Sequence, residues 1–197
     1  CVNGEMQKQL AANLLETVMR ENVADNGKQC PSYSLMTGFI GTAWIGKALC
    51  ENGYSEAAYQ LLQQTSYPSW LYSVDQGATT IWERLNSYTH TDGFGGNNRM
   101  NSFNHYSFGA VGAWMYNYSL GIRRDEDFPG FKHFIFKPMV DSTGEMKFAK
   151  GYYDSMYGRI ESSWSVKGNA VFYDFTVPAN TTALLYLAAD SVEEIKE

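Results

Sequence analysis

Residues 103–127 read FNHYSFGAVGAWMYNYSLGIRRDED, and the organisation of the chain turns on this stretch. From Phe103 to Ile122 it runs 20 positions without a formal charge, long enough in principle to cross a bilayer. Asn104, His105, Ser107, Asn117 and Ser119 interrupt its apolar character, so the reading is a buried helix starting at Asn101 or Ser102, with no membrane partner. The cluster Arg123-Arg124-Asp125-Glu126-Asp127 ends the run, and beyond it the hydrophobic period becomes strand-like. A boundary is therefore predicted at 122/123. Residues 1–122 read as helical and 123–197 as β-rich, giving an α+β multidomain chain.

Upstream, Leu10, Leu14, Leu15, Val18 and Met19 recur at helical spacing from Glu5 to about Val23, with Asp25-Asn26-Gly27 as the stop. A second helix is predicted through Thr42, Trp44, Ile45, Ala48 and Leu49 to Glu51-Asn52-Gly53, and Ser55 caps a third through Tyr59, Leu61 and Leu62. Pro68 punctuates, and Ala78–Asn86 reads as a further short helix before a polar loop, Ser87–Met100. A loop of that length is usually functional, and its expected role is to wall a pocket between helices. Downstream, strands are predicted at 131–139, 145–153, 159–166, 170–177 and 182–188, most of a sandwich or barrel-like sheet. Residues 191–197 are expected to lack structure.

Composition narrows the function classes. The chain of 197 residues has 18% charged and 15% aromatic residues, which excludes a disordered tail. Size scaling gives roughly 9,400 Å² exposed when folded against about 32,000 Å² unfolded, enough burial for a real core. A net charge of -6 lacks the basic stripe that phosphate backbones require, so nucleic acid and anionic lipid are poor partners and a neutral, polar substrate fits better. Cys1, Cys30 and Cys50 form no C-x-x-C pair and are odd in number, so no disulfide framework is implied. His90, His105 and His133 lack the spacing of zinc ligands, and no metal or cofactor is expected. The chain begins with Cys1 and shows no signal-peptide pattern, so the start of the natural product is expected to lie elsewhere and the compartment is not legible.

Chemistry concentrates in Gly77-Ala-Thr-Thr-Ile-Trp-Glu83 and, across the loop, Asn101-Ser-Phe-Asn-His-Tyr106. Glu83, three residues after Thr80, has two readings: a capping box on the Thr80 backbone N–H, or a carboxylate beside Trp82 that takes a proton from water during hydrolysis. His105, expected in the first helical turn, is either a core histidine bonded to a carbonyl or a neutral imidazole that bonds a sugar hydroxyl. Arg84 and Arg99 are candidates to order the loop or are solvated surface charges. Asp75 and Asp92 are further carboxylates nearby, and Asp92-Gly93 reads as a turn. Gly93-Phe-Gly-Gly-Asn-Asn98 lacks the ending of a phosphate loop and follows no strand. Of Trp44, Trp70, Trp82 and Trp114, at most one is expected to stack on sugar. No nucleophile-elbow motif is present.

Five motifs in order carry a resemblance: Tyr67-Pro-Ser-Trp70, Gly77-Ala-Thr-Thr-Ile-Trp-Glu83, Met100-Asn-Ser-Phe-Asn-His-Tyr106, Pro129-Gly-Phe-Lys132 and Tyr157-Gly158. Over roughly Thr37 to Thr182 the chain resembles bacterial α-L-rhamnosidases of glycoside hydrolase family 78. The resemblance implies that residues 1–122 are the last helices of a six-hairpin (α/α)6 barrel and 123–197 an antiparallel β-sandwich, the C-terminal part of an enzyme. It implies inverting hydrolysis of terminal α-L-rhamnosyl glycosides by two carboxyl groups, with Glu83 matching the general base and His105 a histidine that bonds the bound rhamnose. The general acid would lie on the missing N-terminal part of the same polypeptide, so this chain alone would be inactive. Leu85 departs from the family, where many members carry a second tryptophan. A truncated barrel would leave Leu10, Leu14 and Val18 without partners. Two other readings stand beside this one: a non-catalytic carbohydrate-binding module gripping glycan through Tyr152, Tyr153 and Tyr157, and another six-hairpin glycosidase, phosphorylase or lyase.

Overall fold

The structure, a computed structural model, describes residues 4–24, 27–95, 98–189 and 191–196. Cys1, the stop residues Asp25 and Asn26, and Gly96 and Asn97 of the glycine-rich loop lie outside the described residues. The chain divides into two compact units, Cys1–Gly112 and Ala113–Glu197.

In the first unit, helix α1 (Gly4–Met19) carries Glu5 in its first turn, where a carboxylate suits the helix dipole. It stops at Met19, short of the predicted Val23, because the chain leaves to form β1 (Asn22–Val23), paired antiparallel with β2 (Gln29–Cys30). Helices α2 (Phe39–Glu51) and α3 (Ser55–Gln63) form where expected, but Ser55 is not the cap of α3: it is the first helical residue, and Tyr54 stands at the N-cap without a side-chain cap bond. Gly53, at φ 86°, makes the left-handed step between the two helices, and its N–H donates to the Cys50 carbonyl. A helix that the sequence did not announce, α4 (Trp70–Asp75), is capped by Ser69, whose Oγ accepts the Tyr72 N–H at 3.1 Å. Helix α1 packs on α2 and α3, and α3 packs on α4. Leu10 is exposed and Leu14 half-buried, but Val18 is buried, correcting the expectation that it would lack a partner.

Two predicted helices fail together. Residues 78–86 run as bends and a turn at 85–86, and residues 101–106 are likewise non-helical. The helical stretch begins at Ser107, as a 3-10 turn (Ser107–Ala110), a short α5 (Val111–Trp114) and a π turn (Met115–Ser119). Among the described residues no helix is long and apolar enough to cross a membrane.

The second unit holds β3 (Ile122–Arg124), β4 (His133–Phe136), β5 (Phe148–Ser155), β6 (Gly158–Lys167), β7 (Ala170–Thr176) and β8 (Thr182–Leu185). They form two three-stranded sheets, ordered β3-β4-β8 and β5-β6-β7. The second is an antiparallel meander. In the first, β4 and β8 run parallel, with His133 opposite Thr182, which corrects the wholly antiparallel expectation. The three strands of the meander intervene before β8, so the chain rejoins the first sheet in the direction of β4 rather than by a hairpin. Period-2 alternation on β6 turns Ile160, Ser162 and Trp164 inward. Ile160 joins Leu120, Ile122, Phe134 and Phe136 in one core, with Ala149, Phe175 and Ala183 packed against it. The two buried polar side chains of β6 are satisfied: Ser162 Oγ donates to the Leu120 carbonyl at 2.6 Å and Trp164 Nε1 to the Ser119 carbonyl at 2.8 Å. Val192–Glu194 form a 3-10 turn where an unstructured end was expected.

Candidate active site

Why residues 78–86 and 101–106 abandon helix becomes plain from where their backbone groups go. Glu83 N–H donates to the Ser102 carbonyl at 2.8 Å, and His105 N–H donates to the Ile81 carbonyl at 2.8 Å. Thr80 Oγ1 donates to the Phe103 carbonyl. The two motifs thus lie side by side as paired segments, and groups committed across the pair are lost to a helical ladder. A close approach locks the arrangement: a Cβ on Gly109 would stand 3.2 Å from Ile81 Cγ1.

The Glu83 carboxylate closes the pair. Its Oε2 accepts the Ser102 N–H at 2.7 Å, a charge-assisted bond that fixes the side chain. It does not turn back to the Thr80 N–H, so the capping-box reading fails. Glu83 Oε1 has no hydrogen-bond partner among the described residues, and the side chain is half-buried beside buried Trp82. The turn that follows is pinned from below by Ser73 Oγ, which donates to the Leu85 carbonyl at 2.7 Å. Beneath it, Leu35, Leu85 and Phe108 form a small core with Tyr67 and Trp70 against them, so Leu85 serves as packing.

His105 sits outside the first helical turn, on the neighbouring paired segment. Its Nδ1 accepts the Ser107 N–H at 3.4 Å, which in the neutral ring leaves the proton on Nε2. The ring stacks on Phe39 with centroids 4.7 Å apart, and on Tyr106 at 5.8 Å. The orientation of His105 is therefore set by α2 and by Ser107, with Nε2 as an available donor. The sequence reading missed Phe39 and Ser102 in these roles; both act across long separations, and no local signal marks them.

The remaining candidates separate. Asp92 is a turn residue, its N–H donating to Thr89 Oγ1 at 2.9 Å, and it lies near Tyr72, whose phenol is pushed up by burial first and by the Asp92 charge second. Asp75 ends α4, exposed, with its carbonyl 3.2 Å from His90 Nε2. Arg84 Nε donates to Asn101 Oδ1 at 3.4 Å, tying the two segments. The long loop folds back on itself: Phe94 packs on Tyr88 and on Phe103, which in turn packs on Trp82. Trp82 and Trp114 are buried and Trp70 bonds the Phe108 carbonyl at 2.8 Å, so Trp44 is the exposed one of the four. Among the described residues no cluster of three or more His, Cys, Asp or Glu is arranged to hold a metal ion.

The paired motifs fall inside a known domain. The family model described as the bacterial alpha-L-rhamnosidase 6 hairpin glycosidase domain matches residues 5–119, and that of the bacterial alpha-L-rhamnosidase C-terminal domain matches residues 121–197. The chain belongs to the bacterial α-L-rhamnosidase family. It is 38% identical over 190 residues to an alpha-L-rhamnosidase of Formosa agariphila, covering 95% of this chain and 20% of that protein. An alpha-L-rhamnosidase of Streptomyces avermitilis is 34% identical, with 95% and 18% covered. Among solved structures, the Streptomyces avermitilis α-L-rhamnosidase complexed with L-rhamnose superposes with a TM-score of 0.82 at 33% identity, over 96% of this chain and 17% of that one. The native Aspergillus terreus enzyme gives 0.79 at 31% identity, over 95% and 20%. The chain thus spans about a fifth of the length of these family members.

Proposed function

We propose that this chain is the C-terminal part of an inverting α-L-rhamnosidase, in which Glu83 is the general base and His105 bonds the bound rhamnose. Residues 1–122 would complete an (α/α)6 barrel and residues 123–197 an appended β-sandwich. The observation that carries the reading is the state of Glu83: one carboxylate oxygen is tied to a backbone N–H and the other has no hydrogen-bond partner among the described residues, on a segment paired with that of His105.

The tied oxygen orients the group, and the other is placed to accept a proton from water. As the proton leaves, the water oxygen attacks the anomeric carbon from the face opposite the leaving oxygen. A carboxylic acid contributed by the upstream part of the polypeptide protonates that oxygen, about 6.5–9.5 Å from the base so that water fits between. His105, with its ring clamped by Phe39 and its proton on Nε2, donates to a sugar hydroxyl without having to reorganise.

The test is Glu83→Gln in the intact protein acting on an aryl α-L-rhamnoside. Glutamine keeps an oxygen for the Ser102 N–H but cannot take a proton, so kcat is expected to fall by about 10²–10⁴, with KM nearly unchanged. Unchanged turnover in a folded variant would overturn the assignment.

A further inference from the structure

The long loop between the two paired motifs turns tightly around one side chain. Thr89 N–H donates to the Gly93 carbonyl at 3.0 Å, and Gly93 N–H donates back to the Thr89 carbonyl at 2.8 Å. Gly93 at φ 62° and Gly95 at φ 68° flank Phe94, so both of its neighbours occupy the left-handed region. The loop is anchored next to this turn, where Gln76 Oε1 accepts the His90 N–H at 2.8 Å. These bonds and the two glycines set the path of the backbone on either side of Phe94.

The Phe94 ring stands edge-on to Phe103, with centroids 5.5 Å apart, and to Tyr88 at 5.2 Å. Phe103 in turn stands edge-on to buried Trp82 at 5.3 Å. Edge-to-face pairs at such separations are directional contacts. Phe103 is therefore held by two rings, Trp82 from the Glu83 segment and Phe94 from the loop. The anchor of Glu83 is fastened at the same place. The Phe103 carbonyl accepts the Thr80 hydroxyl. The preceding residue, Ser102, gives its N–H to Glu83 Oε2 at 2.7 Å and its carbonyl to the Glu83 N–H at 2.8 Å.

Phe94 is itself 58% exposed, so its contribution lies in the contact with Phe103 rather than in core burial. We propose that Phe94 is a positioning residue for the hydrolytic site: through Phe103 it holds the Ser102 peptide that orients the Glu83 carboxylate. The inference rests on the Glu83 assignment above. A reacting group must be kept within about 0.5 Å of its productive place, and a misplacement of about 1 Å can cost about 10²-fold in rate.

Steady-state kinetics of the intact protein on an aryl α-L-rhamnoside test this in a double-mutant cycle with Glu83→Gln. Phe94→Ala should lower kcat by about tenfold while KM changes by less than about twofold. Phe94→Tyr, which keeps the ring, should retain at least about half of the parent kcat. In the Glu83→Gln background no base is left to orient, and Phe94→Ala should change the residual rate by less than about twofold. Should Phe94→Ala not fold, Phe94→Leu decides in its place, with a loss of about threefold in kcat expected. A folded variant with the parent kcat, a loss carried by KM alone, or the same loss with and without the Glu83 carboxylate would overturn the proposal. Failure of the Glu83 assignment itself reads differently, as parent turnover in Glu83→Gln with Phe94 intact.

Discussion

The two units bury apolar surface in different ways. In the β-rich unit the alternation of β6 turns one face to a core closed by both sheets, and the opposite face carries Arg159, Glu161, Ser163 and Ser165. In the helical unit, α2 (FIGTAWIGKALCE) is apolar nearly all round, a pattern that belongs to a helix enclosed on every side. Yet Ile40 is 83% and Trp44 59% exposed, four residues apart on one face. The apolar face of β6 is covered within its own unit, although β7 and β8 leave Phe172 and Leu184 exposed, whereas the α2 face that carries Ile40 and Trp44 stays open. This difference agrees with a chain that spans a fifth of its relatives.

The comparison breaks most sharply at Gly121. It adopts φ 73°, and a Cβ there would stand 2.1 Å from the Pro138 backbone nitrogen. Gly121→Ala should therefore destabilise the β-rich unit by more than about 4 kcal/mol, checked by denaturant unfolding. If the variant melts like the parent, the closed-core account of this unit is wrong.

Smaller, and conditional on context, is Ile40→Ala. In this chain the change should lie within about 0.5 kcal/mol, as for a surface position. In the intact protein it should cost about 2–5 kcal/mol, as for a core isoleucine. Equal effects in the two settings would remove the argument that α2 acquires neighbours.

Smallest is an effect on the open face of the meander. Arg159 Nε donates to Asp154 Oδ1 at 2.8 Å, and this bond is the main cause holding the Asp154 carboxyl below its ordinary value. A carboxyl lowered in the folded state contributes stability above its unfolded pKa, lost as the pH falls through the folded value. Arg159→Gln should raise the Asp154 pKa toward the ordinary carboxylate range in an NMR titration. An unmoved titration would show that the pair does not form in solution.

Local signals in the sequence suffice for elements whose partners are close in the chain. Helix α3 and the strands of the meander follow from periodicity and turn residues such as Gly53 and Gly168. Residues 78–86 failed because Ala78, Ile81, Trp82 and Leu85 fit a helical template, while their backbone groups are claimed by residues some 20 positions downstream. The late start of the helical stretch at Ser107 has the same cause. The parallel β4–β8 pair joins residues nearly 50 positions apart, and no hydrophobic period encodes strand direction. For the candidate site, the residue types at Glu83 and His105 were legible from motif resemblance, but their anchors Ser102 and Phe39 required the tertiary pairing.

The most direct test of the central claim removes the Glu83 carboxylate and supplies a nucleophile that needs no base. In the intact protein, Glu83→Ala should be nearly inactive on an aryl α-L-rhamnoside, and azide should restore turnover by attacking the anomeric carbon in place of water. The account predicts a glycosyl azide of inverted, β configuration in the NMR spectrum. Full activity without azide, or an azide product that keeps the α configuration, would contradict it.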